Sequence, residues 1–363
     1  MIAAQKPAPL PGTRPRGIAD ERQASAHVRE MFGRIAPRYD FLNHLLSFSL
    51  DRIWRRRTAR HFRYILERPE ARVLDVCCGT GDLTFALDRV RTAALGPASR
   101  GERPQAPGSR RKPIFGSDFV EGMLVRARQK AAAARRDTFF AAADALDLPF
   151  ADASFDLITT AFGFRNLANY EEGLREFARV LRHGGELGIL EFTEPESGPM
   201  AGLFRFYFKS ILPRIGGAIS GDKEAYAYLP GSVSKFPSPP ELAALMQRAG
   251  FTDVRIASWN FGSVVLHTAR RHSALTDAVL RSDYAAMTAA IARGANLNEM
   301  VDEMTPLLWA IMGGDIDAVR LLLESGADPN VRPNRADSPL WSAEDDFGLT
   351  EIAELLKSYG ATK

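Results

Sequence analysis

Residues 72–76 form a short β-branched run that ends in Asp75-Val76-Cys77-Cys78-Gly79-Thr80-Gly81 and leads straight into a helical pattern over 82–90. The same grammar then recurs. Strand-like runs at 114–118, 138–142, 155–161 and 186–192 alternate with helical patterns at 121–134 and 170–181, and a turn is expected at 182–185. This alternation constrains the fold more than any other feature. It predicts an α/β architecture, a parallel sheet with helices on both faces. The closely spaced runs 254–258 and 263–268 are expected to finish the sheet as an antiparallel pair.

Ahead of the first strand, Met31, Ile35, Tyr39, Leu42, Leu45 and Leu46 recur at helical spacing over residues 24–62. Pro37 interrupts the pattern, so at least two helices are expected. The stretch 52–63 is strongly basic, with Ile53, Trp54 and Phe62 interleaved. It reads either as a helix facing a membrane or partner, or as a solvated, salt-bridged face. Residues 1–24 read as a disordered leader without the apolar core of a secretory signal. Residues 92–112 are rich in Gly, Pro, Ser and Arg and are far longer than a usual helix-to-strand connection, so they read as a surface insertion.

With 363 residues there is room for two or three domains. The net charge of +3 conceals a division: residues 273–363 carry 7 basic and 15 acidic side chains, a net of −8, which leaves +11 for the rest. No run of 18 uncharged apolar residues suggests a membrane span. The two cysteines, Cys77 and Cys78, are adjacent, which suits neither a disulfide loop nor a four-thiolate metal site and makes a reducing compartment the default. No metal site is expected, because His44 and His183 have no ligand partners at metal spacing.

After residue 271 the pattern changes. Gly294-Ala295-Asn296-Leu297-Asn298 returns 32 residues later as Gly326-Ala327-Asp328-Pro329-Asn330, and Gly360-Ala361-Thr362 follows after another 34. Thr305-Pro306-Leu307 returns as Ser338-Pro339-Leu340 at an offset of 33. Two independent markers with one period resemble the ankyrin repeat, a helical solenoid whose units bury their faces on one another. Domain boundaries are therefore expected at 25–271 and 272–363.

The turn Gly79-Thr80-Gly81 lets the backbone approach a ligand, and a helix starts just beyond it. Thr84 stands where a dinucleotide fingerprint would have its third glycine, which argues against a nicotinamide cofactor. Asp118, ending the second strand, is placed either to accept from ribose hydroxyls or to cap the next helix. Asp144 and Ala145, after the third strand, are placed for an adenine. Together with Leu148-Pro149-Phe150 and Phe155-Asp156, these residues resemble class I S-adenosylmethionine-dependent methyltransferases.

The resemblance narrows at Phe32-Gly33-Arg34-Ile35-Ala36-Pro37-Arg38-Tyr39-Asp40-Phe41-Leu42-Asn43, Trp54-Arg55, Phe162-Gly163-Phe164-Arg165-Asn166, Leu190-Glu191-Phe192, Leu212-Pro213-Arg214-Ile215-Gly216 and Tyr226-Ala227-Tyr228. These are similar to the ubiquinone/menaquinone biosynthesis C-methyltransferases. The resemblance implies a doubly wound, mostly parallel seven-stranded sheet with N-terminal helices, followed by the all-α repeats. It implies S-adenosyl-L-methionine as cofactor, held by Gly79, Thr80, Gly81, Asp118, Asp144 and Ala145. Its substrate would be a polyprenyl quinol, demethylmenaquinol ahead of a ubiquinone-pathway benzoquinol, with Arg165 either stabilising a ring oxyanion or forming a structural salt bridge, and Asn166, Tyr39 and Asn43 orienting the ring, Tyr39 otherwise packing the core. Ala161 departs from the serine the family often has before this run, which leaves that contact to the backbone. Cys77 reads as a packed small side chain. The alternative to an enzyme is an interaction protein using the methyltransferase fold as a scaffold. The apolar run 200–212, with Phe204, Phe206, Tyr207 and Phe208, reads as a tail-binding lid or as a core helix. A protein partner for the repeats, no nucleic acid, and a cytoplasmic location with peripheral contact at the inner face of the cytoplasmic membrane complete the expectations.

Overall fold

The computed structural model describes residues 20–96, 111–195, 223–300, 304–332 and 338–363, and a few positions outside them (12, 13, 15, 17, 18, 202 and 206). The chain divides into two compact units, one of residues 1–249 with 254–270, the other of 250–253 with 271–363.

The first unit begins with helices. Asp20 caps α1 (Glu21–Ile35) by accepting the Gln23 N–H at 2.8 Å. That cap starts the helix inside the stretch expected to be leader, and Thr13 is already packed, its N–H donating to the Leu167 carbonyl at 2.7 Å. Pro37 sits in a one-turn 3-10 helix, Ala36–Arg38, which separates α1 from α2 (Tyr39–Leu46). α3 (Leu50–His61) and α4 (Arg63–Leu66) follow. In the basic stretch of α3 one stripe is buried (Asp51, Trp54, Arg55, Thr58 and Ala59) while Arg52, Arg56, Arg57 and Arg60 are exposed.

The strands are β1 (Val73–Val76), β2 (Ile114–Asp118), β3 (Thr138–Ala142), β4 (Phe155–Ala161), β5 (Leu181–Phe192), β6 (Phe251–Trp259) and β7 (Val264–Arg271). Between them run α5 (Asp82–Leu95), α6 (Glu121–Ala133), α7 (Tyr170–Val180), α8 (Lys223–Lys235) and α9 (Pro239–Arg248). The sheet order is β3-β2-β1-β4-β5-β7-β6. β1 to β5 are parallel and β7 runs antiparallel to β5, with Leu190 opposite Leu266. β1 is buried along its whole length, Asp75 included, and the middle of β4 (Leu157–Thr160) is buried too, as a sheet covered on both faces requires. The expected turn at 182–185 is a bulge inside β5. Phe155 pairs with Leu181 but Leu157 pairs with Glu186, so the intervening residues loop out around Gly184 at φ +72°. α5 runs to Leu95, past the expected end at 90, so the insertion is entered from a longer helix. Residues 97–110 of that insertion, and the run 200–212 apart from 202 and 206, lie outside the described residues.

The second unit is a stack of helix pairs: α10 (Ala274–Leu280) with α11 (Tyr284–Ala292), α12 (Pro306–Met312) with α13 (Ile316–Glu324), and α14 (Pro339–Trp341), whose π-turn at Ser342–Asp346 leads to α15 (Thr350–Ser358). Ser273, Thr305 and Ser338 each cap the first helix of a pair, accepting from Thr276, Leu308 and Trp341. The Asn298 Oδ1 accepts the Asp328 N–H at 2.9 Å, and Asn330 Oδ1 accepts the Thr362 N–H at 2.8 Å. These bonds explain the period: each asparagine ties its turn to the next. The core is one apolar seam through Leu275, Met287, Leu308, Ile311, Leu322 and Leu356. Among the described residues no helix is long and apolar enough to cross a membrane.

Candidate active site

Strand order reverses between β1 and β4, and a cleft opens at their C-terminal ends, where open α/β sheets take ligands. It encloses about 900 Å³ of empty space, including its open mouth.

Its floor is the turn after β1. The Cys78 N–H donates to the Ser117 carbonyl on β2 at 2.9 Å, and the Gly79 N–H to Asp118 Oδ2 at 2.8 Å. Gly81, at φ +86°, has no room for a side chain, because a Cβ would lie 2.9 Å from the Phe85 ring and 3.0 Å from Phe140. Asp118 also accepts the Val120 N–H at 2.9 Å, so it both shapes the helix entry and faces the cleft. Burial pushes its pKa up to about 6, against the backbone N–H groups that favour the anion. Asp144 accepts the Leu146 N–H at 3.0 Å and lines the cleft with Ala145, Phe119, Val120 and Met123, an acid beside an apolar slot.

The opposite wall comes from the segment after β4 and from the N-terminal helices. Ala161, Phe162, Gly163 and Asn166 line it, with Tyr39 from α2, Phe32 from α1 and Arg55 from α3. Gly163 is required by close approach, since a Cβ there would lie 2.4 Å from that of Cys77. Burial, with Asp118, Asp144 and Asp75 around it, holds the Cys77 thiol well above its ordinary pKa, so it is no thiolate nucleophile.

Of the four residues expected to act on the substrate, Tyr39 and Asn166 line the cleft. Asn43 hydrogen-bonds Tyr39, whose phenol is raised in pKa by burial in spite of Arg165. Asn166 Oδ1 accepts from the Tyr228 hydroxyl at 3.1 Å, which leaves its NH2 to donate. Arg165 stands behind this wall. Its Nη1 donates to Glu191 Oε1 at 2.7 Å and to the Phe162 carbonyl, and both side chains are almost fully buried. Burial works against its charge, but Glu191, Tyr39 and Tyr228 outweigh it and raise its pKa. Among the cofactor candidates, Gly79, Thr80, Asp118, Asp144 and Ala145 line the cleft, and Gly81 caps α5 just behind.

Three residues were missed as site residues. Arg55 was hidden in a run of arginines, of which it is the buried one, bonded to Asp51 and 4.0 Å from Asp82. Tyr228, in the Tyr226-Ala227-Tyr228 run, holds Asn166 through its hydroxyl, a pairing across 62 positions. Lys130 had no signal at all, yet it joins α6 to Asp40 at 3.0 Å, to Asp82 at 2.6 Å and to Thr80 at 3.1 Å, latching α2 onto the glycine turn. Among the described residues, His44, Asp51 and Asp82 bring three ligand-type atoms within 4.8 Å of one another. Arg55 and Lys130 already supply positive charge to those carboxylates.

The chain matches the ubiE/COQ5 methyltransferase family over residues 19–271 and ankyrin repeats (3 copies) over 253–363. It is 46% identical over 245 residues to a demethylmenaquinone methyltransferase of Deinococcus radiodurans, 68% of this chain and 92% of that one. To a protein of the same name from Thermus thermophilus it is 45% identical over 241 residues, 66% of this chain and all of that one. A solved SAM-dependent methyltransferase from Aquifex aeolicus aligns with a TM-score of 0.40 and 18% identity, covering 59% of this chain and 89% of that one.

Proposed function

This chain belongs to the ubiE/COQ5 methyltransferase family, and we propose that it transfers a methyl group to a ring carbon of a polyprenyl quinol, demethylmenaquinol. S-adenosyl-L-methionine, when bound, supplies the electrophilic methyl group. The residues fit it: Asp118 is a buried carboxylate whose partners are backbone N–H groups, so lone pairs remain for the ribose hydroxyls. Asp144 can accept from the adenine amino group, with Ala145 and Val120 against the ring. Gly79, Thr80 and Gly81, with no side chain at two of the three positions, let the methionine end come close to the backbone.

A quinol carbon becomes a good nucleophile when a ring hydroxyl ionises. Arg165 keeps a fixed positive charge behind the wall and lowers the cost of the oxyanion. Tyr39, kept protonated by its raised pKa, donates to a ring oxygen, and the Asn166 NH2 orients the ring from the other side. Holding the carbon in line with the methyl group is worth much of the rate.

The observation that carries this reading is the meeting, in one cleft, of the Asp118–Asp144 cradle with the Tyr39–Asn166 wall and its buried Arg165–Glu191 pair. The prenyl tail requires the enzyme to work at a membrane surface, from the cytoplasmic side, and the repeats are read as a protein-binding module. The test is turnover of demethylmenaquinol and of a demethylated benzoquinol side by side. The menaquinol product is expected to be heavier by one CH2, because the methyl group replaces a ring hydrogen that leaves as a proton while the cofactor departs as its thioether. Binding of S-adenosylmethionine with no transfer to either quinol would refute the reading.

A further inference from the structure

The two most exposed phenylalanines among the described residues lie 213 positions apart, on two segments that α3 ties together. Phe48, 76% exposed, stands in the corner between α2 and α3, and Phe261, 77% exposed, in the turn between β6 and β7. Both have left-handed backbone, φ +52° and +58°, where a phenylalanine is strained. Each is therefore held outward by its surroundings. The corner is fixed by the Ser49 N–H on the His44 carbonyl at 2.7 Å, by Ser47 Oγ on Asp51 at 2.7 Å and by His44 on Asp51 at 2.9 Å. The turn is tied to α3 by Trp54 Nε1 on Asn260 Oδ1 at 2.8 Å and by Arg57 over the Trp259 ring at 5.9 Å.

Further apolar side chains continue the rim. Phe41 and Leu45 share one face of α2 at a spacing of four, and Ile53 lies next to Trp54; all three are well exposed. Arg52, Arg56, Arg57 and Arg60 repeat along the exposed face of α3. Aromatic and aliphatic groups projecting from a basic helix face match a surface with negative headgroups over hydrocarbon.

We propose that this rim (the α2–α3 corner with the 260–262 turn) is the face by which the chain docks on an anionic lipid bilayer. The inference rests on the quinol reading above, because only a prenylated substrate requires the bilayer. Tyr39, which lines the cleft, lies on the same short helix as the exposed Phe41 and Leu45, so one element links the membrane contact to the site.

The experiment uses the full chain in flotation with phosphatidylcholine vesicles, with and without phosphatidylglycerol, and in parallel measures turnover of a quinol that lacks the prenyl tail. Wild type is expected to float with the anionic vesicles. Phe48→Ser with Phe261→Ser should weaken flotation about tenfold or more. Arg52→Gln with Arg56→Gln should weaken it about fivefold for each arginine, and added salt should mimic that loss. Phe139→Ser, an equally bulky exposed residue on the opposite edge strand β3, should float as wild type does. All variants should turn over the tail-less quinol at the wild-type rate. A wild type that does not float, or floats unchanged after both phenylalanines are replaced, overturns the docking face. A dimer that the phenylalanine variant converts to a monomer overturns it too, since the rim is then a self-contact. If wild type floats through this rim but never methylates the tail-less quinol, the docking face stands and the quinol reading fails.

Discussion

Replacing Arg165 and Glu191 separately and together distinguishes a charge used in catalysis from one used in packing. Glu191 is fully buried and accepts three bonds: from Arg165 Nη1 at 2.7 Å, from the Arg165 N–H at 3.2 Å and from the Phe192 N–H at 2.9 Å. Arg165→Met leaves that carboxylate with only its two backbone donors, and Glu191→Gln leaves the guanidinium without its counter-charge. Breaking a buried pair from either side costs about 3–5 kcal/mol. For a domain of this size that is a fall in melting temperature of about 6–15 °C. The double variant removes both charges and keeps a glutamine oxygen for the backbone N–H groups, so its stability should return to within about 2 kcal/mol of wild type. Its activity should not return. With the Arg165 charge gone from behind Tyr39 and Asn166, kcat should stay about a hundredfold low, the usual cost of one lost oxyanion-stabilising group. Its pH–rate profile should also shift to higher pH, because the quinol must then ionise unaided. The assay is thermal unfolding of all four proteins, with steady-state kinetics from pH 6 to 10. A double variant that is stable and methylates within tenfold of wild type would show that the pair only packs the wall.

Other expectations follow from the buried acids and the crowded turn. Asp118 binds the ribose diol as the anion, so affinity for S-adenosylmethionine, read by calorimetry, should fall several-fold as pH drops through about 6; Asp118→Asn should be weak and flat with pH. Asp75, buried with the Thr84 and Thr159 hydroxyls donating to it, has its pKa pushed up by burial to about 7. The folded state then holds a proton that the unfolded state has released, so stability should fall as pH rises from about 4 to about 7, by up to about 4 kcal/mol. Urea unfolding of wild type against Asp75→Asn across that range checks this, and parallel curves would count against it. Gly163→Ala drives a methyl group into Cys77 and should cost about 1–3 kcal/mol. Adding Cys77→Gly should recover most of it, because it removes the clash and the left-handed strain at φ +54°. Asn330→Ala breaks the bond between successive turns, so the repeats should lose about 1 kcal/mol with no change in methyl transfer.

Local and periodic features were legible because their physics is local or periodic. β-Branched runs, caps and glycine turns act within a few residues, so strands β1 to β4, the Gly79–Gly81 turn and the acids Asp118 and Asp144 could be read in order. The repeat was legible for a related reason: Asn298 and Asn330 perform the same bond one period apart. The family resemblance added the candidates Tyr39, Asn43, Arg165 and Asn166. What could not be read was which of several like residues is paired, and with what. Arg55 and Arg56 are neighbours in one basic run, yet only the first turns inward, because α3 lays that stripe on the sheet domain. Glu191 lies under Arg165 because β4 and β5 are adjacent and parallel, which brings two residues 26 positions apart within 2.7 Å. Lys130 reaches Asp40 across 90 positions, and Trp54 reaches Asn260 across 206. Sequence alone determined the order of elements and the chemistry available. Tertiary structure decided which charges are desolvated and paired, because burial and long-range pairing depend on strand order and helix packing, which no local pattern encodes.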